Sequence, residues 1–97
     1  MVILNTAINE GDRPVSAACD DAFLTVELAD GRRIVTPLWW YPRLLHATPE
    51  QRANVELSRF GVHWEEVDED LSVDGMLRGA KAPGAVPPRS FTPEVQP

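Results

Sequence analysis

Two hydrophobic runs flanking a glycine turn are the feature that most constrains the fold. In "FLTVELADGRRIVTPL", residues 23–38, Leu24, Val26 and Leu28 alternate with polar residues. This two-residue period is typical of a strand with one buried face. Gly31 can adopt the positive φ angle that a tight turn requires. The segment therefore predicts an antiparallel hairpin with one apolar face.

The length of the turn sets which side chains share that face. A two-residue turn would pair Leu28 with Arg33, whereas a three-residue turn over 29–31 would pair Val26 with Ile34. The second register places Ile34 on the apolar face. We therefore expect the three-residue turn.

The segment after the hairpin has the signals of a helix. Thr48 is a good N-cap, Pro49 occupies the first helical position, and Gln51 completes a capping box. We expect a helix over residues 49–60, with Gly61 as its C-terminal stop.

The remaining patterns complete an α+β fold. They predict a first strand over 15–19, a turn at Asp20-Asp21, a helical turn from Tyr41-Pro42, an extended run over 62–64, and a last short helix after Ser72. The expected fold is a small antiparallel β-meander of about three strands, packed with two or three short helices. Residues 1–14 would form an N-terminal arm or edge strand, 15–79 a single α+β domain, and 80–97 a flexible tail. The tail holds five of the nine prolines.

Charge and cysteine content narrow the class of protein. The chain has 97 residues, enough for one domain, and a net charge of −6. An acidic chain repels phosphate backbones, which argues against nucleic acid and favours a basic protein partner. Cys19 is the single cysteine, and no apolar window reaches the length of a membrane span. These features predict a soluble, cytoplasmic protein whose oligomeric state the sequence does not specify.

The stretch "HWEEVDEDLSVDGMLRG", residues 63–79, is a candidate binding surface. It contains six carboxylates, which we expect to face water: Glu65, Glu66, Asp68, Glu69, Asp70 and Asp74. In one interpretation the stretch is a solvated turn in which Asp70 or Ser72 caps the last helix. In the other, the carboxylates bind the arginines of a basic partner.

A calcium loop is a poor match to the same stretch. Asp68, Asp70 and Ser72 stand at positions one, three and five of such a loop. Val73 then replaces the required glycine, and Gly79 replaces the bidentate glutamate. We assign no metal to this segment.

A second candidate contact is the aromatic pair Trp39 and Trp40, in "LWWYPRLL". Neighbouring side chains point apart, so one ring would face the core and the other could contact a partner. Alternatively, both rings pack in a small core.

No residue set indicates catalysis or a cofactor. His46 and His63 have no Cys or His at metal-ligand spacing, and Cys19 adjoins two aspartates that would raise its pKa. We therefore expect a protein that is not an enzyme.

Three runs give the chain a family resemblance: "FLTVELADGRRIVTPL", "YPRLLHATPEQRANVELSRFGVHWEEVDEDLSV" and "DGMLRG". Together they resemble the bacterial domain of unknown function 2442 family, from about Val15 to Gly79. The resemblance implies a small α+β domain with no established enzymatic activity. It also implies an antitoxin-like role, since members are often encoded beside another small protein family.

The leading hypothesis is a non-enzymatic interaction module that binds a basic protein, either as an antitoxin-like protein or as a subunit or assembly factor of a larger complex. The alternatives are a DNA-binding regulator and an enzyme. A helix-turn-helix is disfavoured because twelve residues separate the two predicted helices, instead of three or four.

Overall fold

A computed structural model describes residues 9–89 of the chain. The apolar run Val2–Leu4 of the predicted N-terminal arm, and residues 90–97 of the predicted tail, lie outside the described residues. The elements in chain order are a first 3-10 helix (Glu10–Asp12), β1 (Pro14–Cys19), β2 (Phe23–Leu28), β3 (Arg33–Pro37), a second 3-10 helix (Leu38–Trp40), α1 (Pro42–Leu45), α2 (Pro49–Ala53), β4 (Glu56–Leu57), β5 (Gly61–Trp64), β6 (Glu69–Ser72) and α3 (Val73–Leu77).

The first sheet is the predicted meander, with strand order β1-β2-β3 and antiparallel pairing throughout. Val26 pairs with Ile34, which confirms the three-residue turn. Gly31 has φ +95° in that turn. The side chains of Leu24, Val26 and Leu28 are buried, so the alternation places one face of the sheet on the core.

The second sheet, with order β4-β5-β6, is the main departure from the prediction. The prediction of a helix over 49–60 is wrong in its second half. Helix α2 ends at Ala53, and the chain then extends into β4, which pairs with β5. Its N-terminus follows the prediction, since Thr48 and Gln51 form the capping box. Local helix propensity in the second half is overridden by strand pairing.

Gly61 is also not the predicted helix stop but the first residue of β5. It is buried, and a Cβ atom placed there would lie 2.1 Å from the carbonyl oxygen of Leu71. The position requires glycine because the backbones of β5 and β6 approach closely.

The core lies between the two sheets and the short helices. Its largest fully buried side chains are Trp64 and Tyr41, and the polar atoms of both rings are satisfied. The hydroxyl of Tyr41 donates to the Oγ1 of Thr36 over 3.0 Å, and the indole of Trp64 donates to a backbone carbonyl. The predicted α+β class is confirmed. No helix within residues 9–89 has the length and apolar character needed to cross a bilayer.

Candidate interaction surface

The β5-β6 hairpin carries most of the predicted binding residues. We call residues 61–72 the acidic hairpin. Its strands pair Trp64 with Glu69, and residues 65–68 form the connecting turn. The amide of Asp68 donates to the carbonyl of Glu65 over 3.2 Å, and Asp68 adopts φ +55°. Aspartate tolerates this left-handed conformation better than most residues do, so the turn is well matched to its sequence.

Four of the six predicted carboxylates project into solvent from this hairpin. The side chains of Glu65, Asp68 and Asp70 are 79%, 91% and 82% exposed, and Glu66 is also exposed. The side-chain Nε2 of Gln51 donates to the Oε2 of Glu66 over 3.3 Å. The hairpin therefore presents a compact, negatively charged surface.

Glu69 is the exception, and the expectation that it faces water is wrong. It is 8% exposed because its strand partner is Trp64, whose ring faces the core. Burial raises the pKa of the Glu69 carboxyl, while the nearby charge of Arg43 acts in the opposite direction.

His63 lies at the centre of the hairpin carboxylates. Its Nε2 is 2.8 Å from Glu65 Oε1, and its Nδ1 is 3.6 Å from Asp70 Oδ1. The hydrogen bond to Glu65, followed by the charges of Asp70 and Glu56, raises the pKa of His63. His63 was not among the residues predicted to bind a partner. The His63-x-Glu65 spacing on a strand could have revealed it, because residues two apart share one face.

Arg43, at the start of α1, is a second cation near the turn. Its Nη1 donates to the backbone carbonyl of Asp68 over 2.5 Å and lies 3.8 Å from the carboxylate of the same residue. Arg43 is 61% exposed, so water screens this pair strongly. The contact holds the turn against α1 more than it neutralises the surface.

Asp74 lies apart from the hairpin turn, in the first turn of α3. It accepts a hydrogen bond from Arg78 over 3.0 Å and borders a surface groove with Arg13 and Arg59. Of the two predicted caps, Asp70 and Ser72, the helix uses Ser72, whose Oγ accepts from the amide of Gly75 over 2.9 Å.

The two tryptophans form an edge-on pair in the second 3-10 helix. The ring centroids of Trp39 and Trp40 are 6.4 Å apart, and both residues are partly buried. Trp40 packs against the core cluster, and Lys81 Nζ lies 4.5 Å from the centroid of its ring. The amide of Ala82 donates to the carbonyl of Trp40 over 3.0 Å. The first residues of the predicted tail thus lie on Trp40.

Within residues 9–89, no three His, Cys, Asp or Glu side chains are arranged to hold a metal ion. Cys19 is half-buried, and burial raises the pKa of its thiol. A thiol in this state is a weaker nucleophile at neutral pH.

Two solved structures share this fold. A crystal structure of a protein of unknown function from Rhodospirillum rubrum has a TM-score of 0.65 and 31% sequence identity, covering 75% of this chain and 93% of that one. A solution NMR structure of an uncharacterized protein from Chromobacterium violaceum has a TM-score of 0.65 and 26% identity, covering 74% of this chain and 70% of that one. No curated protein matches the chain.

The family comparison covers the same region as the two sheets. The model of a protein of unknown function, DUF2442, matches residues 14–82, which span β1 through α3 and the contact of Ala82 with Trp40. The chain therefore belongs to the DUF2442 family.

Proposed function

We propose that the chain is a non-enzymatic interaction module that binds a basic protein through the acidic hairpin. The observation that carries the proposal is the exposure of Glu65, Asp68 and Asp70, each about four-fifths or more exposed on one hairpin. Clustered carboxylates attract a basic partner and orient its approach. A basic toxin would be one such partner and would make the chain antitoxin-like; a basic subunit of a larger complex would be another.

The residues around the acidic hairpin leave much of its negative charge available to a partner. Two cations neutralise this charge in part: His63, when its ring is protonated, and Arg43, which is 61% exposed. Trp40 packs against the core, and Lys81, whose Nζ lies 4.5 Å from the centroid of its ring, lines a cavity together with Asp70. An aromatic ring beside a charged patch is a common anchor in protein interfaces.

Two features argue against a DNA-binding regulator. The net charge of −6 opposes binding to nucleic acid. The α-helices in residues 9–89 have four or five residues each, which is short for a helix that binds in a DNA groove. A single cysteine suits a reducing compartment, so we place the interaction in the cytoplasm.

Affinity capture from the native host's lysate tests the proposal. The wild-type chain should capture one basic protein at low salt and lose it at high salt. The Glu65→Gln/Asp68→Asn/Asp70→Asn variant should lose the same protein. The matched control, Asp21→Asn/Glu27→Gln/Glu50→Gln, removes three carboxylates elsewhere and should retain it.

The identity of the captured molecule decides between the functions. Equal capture by both variants would show that binding does not depend on the acidic hairpin. Retention of DNA or a small molecule in place of a protein would favour the regulator or the enzyme.

A further inference from the structure

A cavity of about 220 Å³ lies behind the exposed face of the acidic hairpin. It is open to solvent on one side and is bordered by β6, α3 and the segment that follows α3. Its walls include the apolar side chains of Leu71, Met76 and Ala82, and its polar lining includes Glu69 and Lys81. The lining thus combines charged groups with apolar side chains that suit an alkyl chain.

The Glu69 carboxylate is the unusual group in this cavity. The residue is 8% exposed. Among residues 9–89, no side chain donates a hydrogen bond to it; its donor is the backbone amide of Asp70. A buried carboxylate normally has several hydrogen-bond donors, because each oxygen can accept two bonds. Glu69 therefore retains acceptor positions that nothing in the described chain fills.

The chain itself already places a cation at the edge of this cavity. Lys81, which lines it, directs its ammonium group to the Trp40 ring at 4.5 Å from the centroid. The hydrogen bond from the amide of Ala82 to Trp40 fixes the backbone beside that contact. The ammonium is thus stabilised by an aromatic face, and the Glu69 carboxylate keeps its acceptor positions.

We propose that this cavity binds an arginine side chain of the basic partner, with Glu69 as the counter-ion. A planar guanidinium can donate two parallel hydrogen bonds to one carboxylate, which a lysine ammonium cannot do in the same way. The alkyl part of arginine would lie along Leu71 and Met76. The inference rests on the proposed function, and it adds a defined pocket to an otherwise exposed electrostatic surface.

A small probe tests the cavity without the partner. The peptide acetyl-Gly-Arg-Gly-amide is titrated into the isotope-labelled full chain, and amide resonances are followed by NMR. We expect saturable shifts at Asp70, Gly75 and Lys81, which line the cavity. The same peptide with citrulline in place of arginine keeps the shape of the side chain but lacks its charge, and should cause none of them.

Two variants and one control locate the binding. Glu69→Gln should weaken binding of the arginine peptide at least about tenfold, as expected when a charged acceptor is lost. Ala80→Leu, at an exposed residue that lines the cavity, should weaken it by filling space while leaving Glu69 in place. Glu66→Gln is on the same hairpin but does not line the cavity, and should bind as the wild type does.

The outcomes separate this inference from the proposed function. Equal binding of the citrulline peptide, unchanged binding by both Glu69→Gln and Ala80→Leu, or no saturable shift would each overturn the arginine pocket. None of these results changes the lysate capture, which depends on Glu65, Asp68 and Asp70. Loss of capture by the hairpin variant together with a bound arginine peptide would support both.

Discussion

The indole Nε1 of Trp64 donates a hydrogen bond to the backbone carbonyl of Arg52 over 2.9 Å. The ring of Trp64 is fully buried, so this bond connects β5 to the last turn of α2 inside the core. A buried tryptophan needs such a partner because an unpaired indole N–H is costly. One residue thus provides both the largest apolar contact of the second sheet and its polar link to the helix.

Truncation of Trp64 should cost much of the stability of the domain. We expect Trp64→Ala to lower the free energy of unfolding by about 3–5 kcal/mol, as large core truncations do. Trp64→Phe should cost less, about 1–3 kcal/mol, mainly because the Arg52 carbonyl loses its donor. Urea denaturation followed by circular dichroism measures both. An unchanged midpoint for Trp64→Ala would show that this ring does not support the core.

Gly61 should tolerate no side chain. A Cβ atom at this position would lie 2.1 Å from the carbonyl oxygen of Leu71, a backbone atom that cannot move without separating β5 from β6. Gly61→Ala should therefore destabilise the fold by about 3 kcal/mol or more.

Gly31→Ala is the matched control for this prediction. Gly31 has φ +95° but no atom within 4 Å of a new Cβ, so its cost should be conformational alone, about 1–2 kcal/mol. Thermal denaturation of the two variants gives the comparison. A Gly61→Ala protein as stable as Gly31→Ala would contradict the close approach of the two strands.

His63 should make stability depend on pH in a defined direction. Its pKa in the folded chain is raised above 6.5, chiefly by the hydrogen bond to Glu65, so folding favours the protonated ring. The resulting stabilisation is complete below about pH 6.5 and is lost as the pH rises through the folded-state pKa. Relative to His63→Gln, the wild type should therefore lose stability over that interval.

NMR titration of the imidazole identifies the cause of this shift. Glu65→Gln should lower the pKa of His63 toward 6.5 more than Asp70→Asn does, because the Glu65 contact is at 2.8 Å and the Asp70 contact at 3.6 Å. The reverse order would mean that Asp70 is the main partner of the ring.

Local patterns in the sequence predicted those parts of the fold that depend on near neighbours. Alternation from Leu24 to Leu28 and the turn at Gly31 were sufficient for the first hairpin and its register. Thr48 and Ser72 identified two helix starts, because a capping hydroxyl bonds to an amide only three residues away.

The second sheet depends on contacts that no local pattern reveals. Glu56 and Leu57 were predicted to be helical. In the structure Glu56 pairs with His63, and Leu57 pairs with Val62, across the β4-β5 turn. The burial of Glu69 follows from its pairing with Trp64, which is known only once the β5-β6 register is known. The candidate site was therefore predicted as a charged segment, whereas its division into exposed carboxylates and one buried carboxylate required the structure.

Arg52 should prove a structural residue that lysine cannot replace. Its guanidinium donates from Nε to the carbonyl of Leu44 over 2.9 Å and from Nη2 to that of Leu45 over 2.8 Å, and its side chain is only 11% exposed. It thereby supplies donors to the last two carbonyls of α1, of which that of Leu44 also accepts from the amide of Ala47 over 3.2 Å. Arg52→Lys replaces the planar guanidinium, which reaches both carbonyls from two nitrogens, with a single ammonium nitrogen, so we expect a loss of about 1–3 kcal/mol in the free energy of unfolding. Arg43→Lys is the control: Arg43 also donates to a backbone carbonyl but is 61% exposed, so the change should stay within about 0.5 kcal/mol. Chemical denaturation of the two variants measures the difference, and equal effects would show that water replaces the Arg52 bonds as readily as those of Arg43.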